Sequence, residues 1–116
     1  MADTTIKKEV KIGSSGNWSW MEYVDGTVDL YLYKEETISN YSSTTFGGMY
    51  QFGYFTFPFS IQSGYSMSAG CKIGTGISIV ALCNPISTTQ CDVIGQSNQT
   101  GSQYCICMLH VHGIKA

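Results

Sequence analysis

Alternation of apolar and polar side chains constrains the fold of this chain more than any other feature. Val28, Leu30 and Leu32 are separated by single residues that are polar or carry a hydroxyl, and the same period of two recurs around Phe55 and Cys105. This period is typical of half-buried β-strands, and no window shows the 3.6-residue apolar stripe of an amphipathic helix. The sequence therefore predicts an all-β fold.

Short segments rich in Gly, Ser, Thr and Asn separate the alternating runs, which suits a sandwich or a barrel. The expected strands are 6–12, 17–24, 27–35, 50–59, 76–83, 90–96 and 103–114. The expected turns and loops are 13–16, 25–26, 39–48, 62–70, 84–89 and 96–102, among which Asp25 and Gly26 give a strong two-residue hairpin signal. We predict an N-terminal lead and first strand over residues 1–12 and a single antiparallel β-sandwich with a jelly-roll-like path over residues 13–116.

Charged side chains make up only 12% of the chain and are unevenly placed. Between Glu36 and His110, Lys72 and Asp92 alone carry a formal charge. Burial of one face between subunits would explain this, because interface cores lose charged residues and gain aromatic ones. The alternative explanation is that the many Tyr residues are present because Tyr suits strands. Both explanations stay open.

The charge balance also bears on partners. The net charge is −2 and the chain has no Arg, which argues against nucleic-acid binding. The one basic cluster, Lys7, Lys8 and Lys11, is interrupted by Glu9 and is expected to be solvated. The start of the chain has no apolar signal-peptide segment, and the longest apolar runs are far shorter than a membrane span. We expect neither nucleic-acid binding nor membrane insertion.

The five cysteines are Cys71, Cys83, Cys91, Cys105 and Cys107. Their number is odd, no secretory signal accompanies them, and the closest pair is spaced C-x-C and not C-x-x-C. These features favour reduced cysteines that pack as small apolar core residues over a disulfide framework or a zinc site.

The two histidines, His110 and His112, would share one face of a strand, about 6–7 Å apart. In a threefold assembly the pair would place six imidazoles near the axis. One H-x-H motif nevertheless supplies too few ligands for a metal claim. We predict no metal and no cofactor, with His110 and His112 as weak candidates, and favour a polar strand face near the C-terminus.

Catalytic motifs are missing from the sequence. No serine lies in a G-x-S-x-G elbow, and no glycine-rich segment continues as a phosphate-binding loop. Glu22 and Asp29 could face each other across the Asp25 hairpin as a glycosidase pair, but solvent-facing strand positions are their ordinary role. Trp18 and Trp20 share a strand face and could stack on sugar rings, although such pairs more often build a core. We predict no catalytic centre.

The segment SGNWSWMEYVDG, residues 15–26, resembles the opening of the C-terminal head domains of phage tail-fibre and baseplate receptor-binding proteins, G-x-W-x-Y-x-x-W-x-x-G. Trp20 stands in the usual Tyr place and Tyr23 in the usual Trp place. The phenylalanine-proline segment 54–59 is similar to another segment of those domains. Their ending, H-x-x-G-R-W-K, is matched by residues 110–115, except that Ile114 replaces the Arg and the Trp is missing.

The resemblance implies a β-sandwich head that forms a homotrimer and recognises a host cell-surface component, usually a saccharide. It also implies a place in the virion, at a tail-fibre or baseplate tip assembled in the bacterial cytoplasm. By analogy with other tips, loops 39–49, 62–69 and 96–102 are expected to bind the ligand. The candidate ligand-binding residues are Tyr41, Tyr50, Tyr65, Asn98 and Gln99. A purely structural fibre module, a free-standing lectin-like domain and a glycoside hydrolase remain as alternatives.

Overall fold

Eight antiparallel strands form two sheets in the computed structural model, which describes residues 10–41, 49–74, 78–97 and 99–116. Within these ranges the side chains of residues 40, 41, 49, 50, 53 and 78–82 lie outside the description. The strands are β1 (Val10–Ser15), β2 (Trp18–Tyr23), β3 (Thr27–Tyr41), β4 (Met49–Thr56), β5 (Ser66–Ile73), β6 (Ser78–Pro85), β7 (Gln90–Ser97) and β8 (Gly101–Ile114). No helix in the described ranges is long and apolar enough to cross a membrane.

The strand order confirms the antiparallel β-sandwich. The larger sheet has the order β1-β2-β3-β8-β5, and the smaller has the order β4-β7-β6. From β3 to β6 consecutive strands alternate between the two sheets, while β3 pairs with β8 and β4 pairs with β7. This nested path is that of a jelly roll, to which the hairpin β1–β2 adds two strands at one edge.

The core lies between the two sheets and is built from the inward positions of the alternation. Val28 and Leu30 on β3 are fully buried, as are Val111 on β8 and Val93 on β7. The alternate residues of β3, such as Tyr31, point away from the smaller sheet and are exposed. Full burial of each such aliphatic side chain contributes about 1.5–3 kcal/mol, so the alternation fixes which face of each strand turns inward.

Three of the five cysteines and Trp18 take the core positions that the sequence favoured, and Cys71 and Trp20 pack against that core. No disulfide joins the five cysteines, and Cys91, Cys105 and Cys107 are buried. Burial raises the pKa of Cys107 to about 12, which keeps it a thiol at neutral pH. The ring of Trp18 meets Phe57 edge-on at 5.7 Å between centroids, and Trp20 meets Phe59 in the same way at 5.5 Å.

Five of the expected turns and loops are partly strand, among them 84–89 and 96–102, since β6 continues to Pro85, β7 continues to Ser97 and β8 begins at Gly101. Residues 62–70 were predicted as a turn-rich segment, but β5 begins at Ser66 and pairs along its whole length with β8. The loop expected from residue 39 starts later, because β3 continues to Tyr41 against β8. The turn expected at 13–16 also starts later, because β1 continues to Ser15 against β2. In each case pairing with a neighbouring strand overrides a polar local sequence.

The hairpin predicted at Asp25 and Gly26 is confirmed, with a three-residue connection instead of two. Gly26 has φ +88°, a conformation that L side chains rarely adopt, and its N–H donates to the Tyr23 carbonyl at 3.0 Å. The Asp25 carboxylate accepts from the Thr27 N–H at 3.0 Å. A glycine in the left-handed region at the last loop position is the usual solution for a three-residue hairpin.

The molecule is elongated, with principal extents of 58 × 25 × 24 Å. We call its two ends the Gly26 end and the Gly101 end, because β3 runs from beside Gly26 to pair with Gly101 at Tyr41. Val10 lies opposite Tyr23 near the Gly26 end, and Lys115 donates its N–H to the Gly26 carbonyl. The described chain therefore enters and leaves at the same end.

Candidate functional site

The outer face of the larger sheet, which points away from the smaller sheet, concentrates polar and aromatic side chains. Its members on β3 and β8 are Asp29, Tyr31, Tyr33, Glu35, Tyr104, Ile106, Met108, His110 and His112. The period of two in β3 and β8 places them there, since every second residue turns inward to the core. Tyr33, Tyr104 and Met108 are each about half exposed, at 47%, 50% and 50%.

A carboxylate cluster lies on the outer face toward the Gly26 end. The Oδ1 atom of Asp29 accepts hydrogen bonds from His110 Nε2 and His112 Nδ1, each at 2.8 Å, and its Oδ2 atom accepts from the Tyr23 hydroxyl at 2.8 Å. An ionised carboxylate only accepts hydrogen bonds, so both of these imidazole nitrogens carry protons. When His110 is neutral, its Nδ1 atom is therefore a hydrogen-bond acceptor.

These hydrogen bonds set the ionisation of the Asp29 carboxyl. Burial acts to raise its pKa, but the hydrogen bonds from His110, Tyr23 and His112 outweigh burial and hold the pKa below its ordinary value. The same contact raises the pKa of the Tyr23 hydroxyl, because loss of its proton would place a second negative charge beside the first. Asp29 is consequently an anion at neutral pH.

A second carboxylate cluster lies on the outer face toward the Gly101 end. Glu35 accepts a hydrogen bond from Tyr104 and another from the Tyr33 hydroxyl at 2.6 Å, and together they lower the pKa of Glu35. The bond to Glu35 raises the pKa of Tyr104 to about 12. Both tyrosine rings are thereby held by their hydroxyls against the same strand, and Glu35 is an anion at neutral pH.

Between the two carboxylates, a row of four side chains crosses the sheet. Ser19 on β2 lies opposite Tyr31 on β3, Tyr31 lies opposite His110 on β8, and His110 lies opposite Ser68 on β5. The rings of Tyr31 and His110 are stacked, 4.7 Å apart between centroids and 10° from parallel. Because Asp29 anchors His110, the stack holds the Tyr31 ring in one orientation.

The next row toward the Gly101 end also runs from β3 across β8 to β5. Tyr33 lies opposite Met108, and Met108 lies opposite Gly70 on β5. The N–H of Tyr33 donates to the carbonyl of Asn17, in the turn between β1 and β2, at 3.2 Å. The hairpin β1–β2 ends here, so its turn forms a step beside the two rows.

A groove of about 420 Å³ lies over the two rows. Its lining residues are Asn17, Ser19, Tyr31, Leu32, Tyr33, Ser68, Ala69, Gly70, Met108, Leu109 and His110. This volume falls within the range of roughly 300–1,000 Å³ that is usual for small-molecule sites. The groove offers flat aromatic rings together with hydroxyl, amide and imidazole groups, which suits stacking and hydrogen bonding to a polar ligand.

Glu22 and Asp29 do not form the facing pair that a glycosidase reading required. Glu22 lies opposite Val28, on the core side of the sheet, whereas Asp29 lies opposite Met21 on the outer face. Glu22 instead accepts a hydrogen bond from the Lys115 ammonium at 2.7 Å, which lowers the pKa of Glu22. The possibility that the two carboxylates face each other across the hairpin is therefore wrong.

His110 and His112 do share one strand face, as their spacing predicted, and both bind the same carboxylate oxygen. Within the described ranges, no group of three or more His, Cys, Asp and Glu side chains is arranged to hold a metal ion. The nitrogens that face Asp29 are hydrogen-bond donors, which leaves this cluster as a polar network on the strand face.

The structure separates the ligand-binding residues proposed from sequence. Gln99 lies at the β7–β8 connection of the Gly101 end, whereas Tyr65 immediately precedes Ser66, which pairs with His112 near the Gly26 end. The Tyr65 hydroxyl donates to the carbonyl of Ser87 at 2.9 Å, and its ring meets a core phenylalanine edge-on. Asn98 and the side chains of Tyr41 and Tyr50 lie outside the described residues. Ligand binding by this set stays a prediction.

Sequence reasoning missed the groove, although part of its signal is visible in the sequence. Tyr31, Tyr33 and Met108 occupy the outward positions of two alternating strands, where a soluble sheet normally carries charged or small polar residues. The other half of the groove belongs to Ser68 and Gly70 on β5, a strand that was read as a loop. Without β5 the two rows would end at β8, and the groove would have no residues on that side.

The fold has counterparts among solved structures. One is the P. aeruginosa R1 pyocin fibre comprising C-terminal residues 323–701, with a TM-score of 0.63 and 17% identity over 90% of this chain. Another is an N-truncated R1-type pyocin tail fibre, with a TM-score of 0.58 and 18% identity over 89% of this chain. This chain has the fold of a tail-fibre domain. It spans 28% of the first structure's chain and 84% of the second.

Comparisons of sequence give no further assignment. No protein-family model matches the chain, and no curated protein matches it. The resemblance to tail-fibre heads is thus supported at the level of the fold.

Proposed function

We propose that this chain is a non-catalytic head domain of a phage tail fibre or baseplate, which forms a homotrimer and recognises a saccharide on the bacterial surface. The observation that carries the proposal is the fold, which the chain shares with pyocin tail fibres over 90% and 89% of its length. The opening segment at residues 15–26 points to the same class of protein independently, because it rests on sequence motifs and not on topology. The proposed location is the tip of a virion tail.

The surface composition supports assembly into a homotrimer. Ile12 is 81% exposed and Tyr54 is 66% exposed, although they lie on different sheets. The segment that contains Tyr54 carries few charges, since only Lys72 and Asp92 are charged between Glu36 and His110. Closed, symmetric association of identical chains is the common way in which such surfaces are removed from water.

A binding role without catalysis is favoured by the state of the outer-face carboxylates. Asp29 and Glu35 each accept hydrogen bonds from side chains of the protein, and their pKa values are lowered. A general acid of a glycosidase needs a raised pKa, so these two anions are poorly suited to that role. Their hydrogen bonds instead hold neighbouring rings in place.

Two measurements on the purified chain test the proposal. The solution mass, from light scattering, is expected to be about three times the 12.7 kDa of one chain. Fluorescently labelled protein is expected to adsorb to intact bacteria of some strains in a panel, and prior removal of surface polysaccharide should abolish adsorption. A trimer that adsorbs to no strain would instead indicate a structural fibre module, and a monomer that binds would indicate a free-standing lectin-like domain.

A further inference from the structure

We propose that the groove on the outer face is the saccharide site and that it accepts an uncharged pyranose in preference to an acidic sugar. This inference rests on the proposed function and specifies the location and chemistry of its ligand. It locates recognition in the middle of a sheet, whereas the sequence predicted the loops at the ends of the sandwich.

The first support is the arrangement of the aromatic rings. A pyranose packs its C–H groups against a flat aromatic ring, because the ring face carries partial negative charge. Tyr31 is 39% exposed and is fixed by its parallel stack on His110. Tyr33, in the adjacent row, is fixed through its hydroxyl by Glu35. Rings that are already held in place lose little conformational entropy when a ligand binds.

The second support is the set of hydrogen-bonding groups at the edges of the groove. Ser19 and Ser68 lie at the two ends of the Tyr31 row and are exposed, and Asn17 is exposed beside the next row. Among the described residues, the Tyr31 hydroxyl has no hydrogen-bond partner. Hydroxyl and amide groups can donate and accept, which matches the hydroxyl groups around a sugar ring.

The third support is charge. No Asp, Glu or Lys side chain lines the groove in the described part of the chain. Asp29 and Glu35 lie just beyond it on β3, two residues before Tyr31 and two residues after Tyr33. The two anions flank the groove along the strand and repel a uronic acid, a sialic acid or a phosphorylated sugar, whereas an uncharged sugar escapes this penalty.

Gly70 provides a way to close the groove without disturbing the fold. Among the described residues, a Cβ atom at this position would meet only the Met108 methyl carbon, at 3.9 Å, and the φ angle is not in the left-handed region. Gly70→Phe therefore places a ring in the groove from an exposed edge strand. Tyr31→Ala removes the stacking ring from the floor. Ile86→Ala, which removes an exposed apolar side chain from the connection between β6 and β7, is the matched control.

The experiment measures binding of the whole chain and these variants to an array of immobilised sugars. The array carries glucose, galactose, mannose and their N-acetylamino forms beside glucuronic, galacturonic and sialic acids. Adsorption to the bacterial panel and the solution mass are measured in parallel, and melting temperatures confirm that each variant folds. Wild type is expected to bind uncharged sugars. Gly70→Phe and Tyr31→Ala should each lose at least tenfold in affinity, while Ile86→Ala stays within twofold.

Several outcomes would overturn the inference. Folded groove variants that bind sugars and cells as wild type does would show that the groove is not the saccharide site. They would leave the proposed function intact. A wild-type preference for the acidic sugars would contradict the charge argument. Groove variants that alter the solution mass and leave sugar binding unchanged would identify the outer face as an interface between copies. If wild type bound neither sugars nor cells, the proposed function itself would fail.

Discussion

Asp29 shows how one residue can organise much of the outer face. Its two oxygens accept hydrogen bonds from three side chains on the two neighbouring strands, namely Tyr23 on β2 and His110 and His112 on β8. Through His110 the carboxylate fixes the position of Tyr31, which it does not touch. A residue that resembles a catalytic acid in the sequence is thus a structural anchor for an aromatic ring.

The anchoring role of Asp29 predicts a particular dependence of stability on pH. Because the folded protein holds this pKa below its ordinary value of 3.8, the carboxylate stabilises the fold at pH values above 3.8. That contribution is lost as the pH falls through the folded pKa. Asp29→Asn should lower the free energy of unfolding by about 1–2 kcal/mol at pH 7, and its stability should change less than that of wild type between pH 5 and pH 3.

Urea unfolding at a series of pH values measures this difference. Tyr23→Phe is the matched comparison, because it removes one of the donors that lower the Asp29 pKa and keeps the carboxylate, and its dependence on pH should lie between those of wild type and Asp29→Asn. An Asp29→Asn variant whose stability falls as steeply with acid as that of wild type would show that other groups set the acid response.

At the scale of elements, the two sheets approach each other closely at Gly95 on β7. A Cβ atom there would lie 2.7 Å from Cys71 Sγ on β5 and 2.9 Å from Phe52 Cε2 on β4. Protein cores are packed too densely to absorb such contacts without movement. The glycine therefore allows β7 to pass close beneath β5, and it links the spacing of the sheets to the position of one backbone segment.

A single methyl group should disturb this packing. Gly95→Ala is expected to lower the free energy of unfolding by about 1–3 kcal/mol, because β5 or the Phe52 ring must shift. Gly70→Ala, on the exposed side of β5, should change stability by less than about 0.5 kcal/mol in either direction. Denaturant unfolding at one protein concentration compares the two variants, and equal losses in both would show that Gly95 is not a packing constraint.

The strands differ in how far the sequence alone predicts them. β3 and β8 are half buried along most of their length, so their inward and outward residues alternate strongly. β5 has the same inward series, ending at Ile73, but Ser68 and Gly70 on its outward side made it look like a turn. An edge strand that pairs with β8 along its whole length needs no strong β-forming residues of its own. A pattern search in a single sequence therefore fails to detect it.

The groove could not be predicted, because it depends on the register of four strands. Ser19, Tyr31, His110 and Ser68 come from distant parts of the sequence and meet only through three separate pairings. The alternation indicates that Tyr31 points outward, but not which side chains lie beside it. Turn chemistry was more informative at Gly26, where the local sequence determines the backbone conformation.

For the whole molecule, the elongated shape is a consequence of the long β3–β8 ladder. The radius of gyration is 16.5 Å, compared with about 13 Å for a compact domain of this length. Three copies with their long axes parallel would bury the most surface per chain. Small-angle scattering should then give three times the mass of one chain, while the longest dimension grows only modestly beyond 58 Å.

Two other modes of behaviour in solution would give scattering results that differ from those of side-by-side assembly. End-to-end association would extend the particle far beyond the length of one chain, and a monomer would give a radius of gyration near 16.5 Å. Either result would contradict side-by-side assembly. Measurement over a range of concentrations separates specific association from weak self-attraction.

Val10 and Lys115 both lie near Gly26, so the domain can be fused to another protein at either position through the same end. A carrier protein joined before Val10 or after Ala116 would attach at that end of the molecule. Gly101, at the start of β8, would then lie about 43 Å along the strand from Ile114 and so at the far end from the junction. Grafts of this domain onto unrelated scaffolds can therefore be joined before Val10 or after Ala116 without blocking the far end.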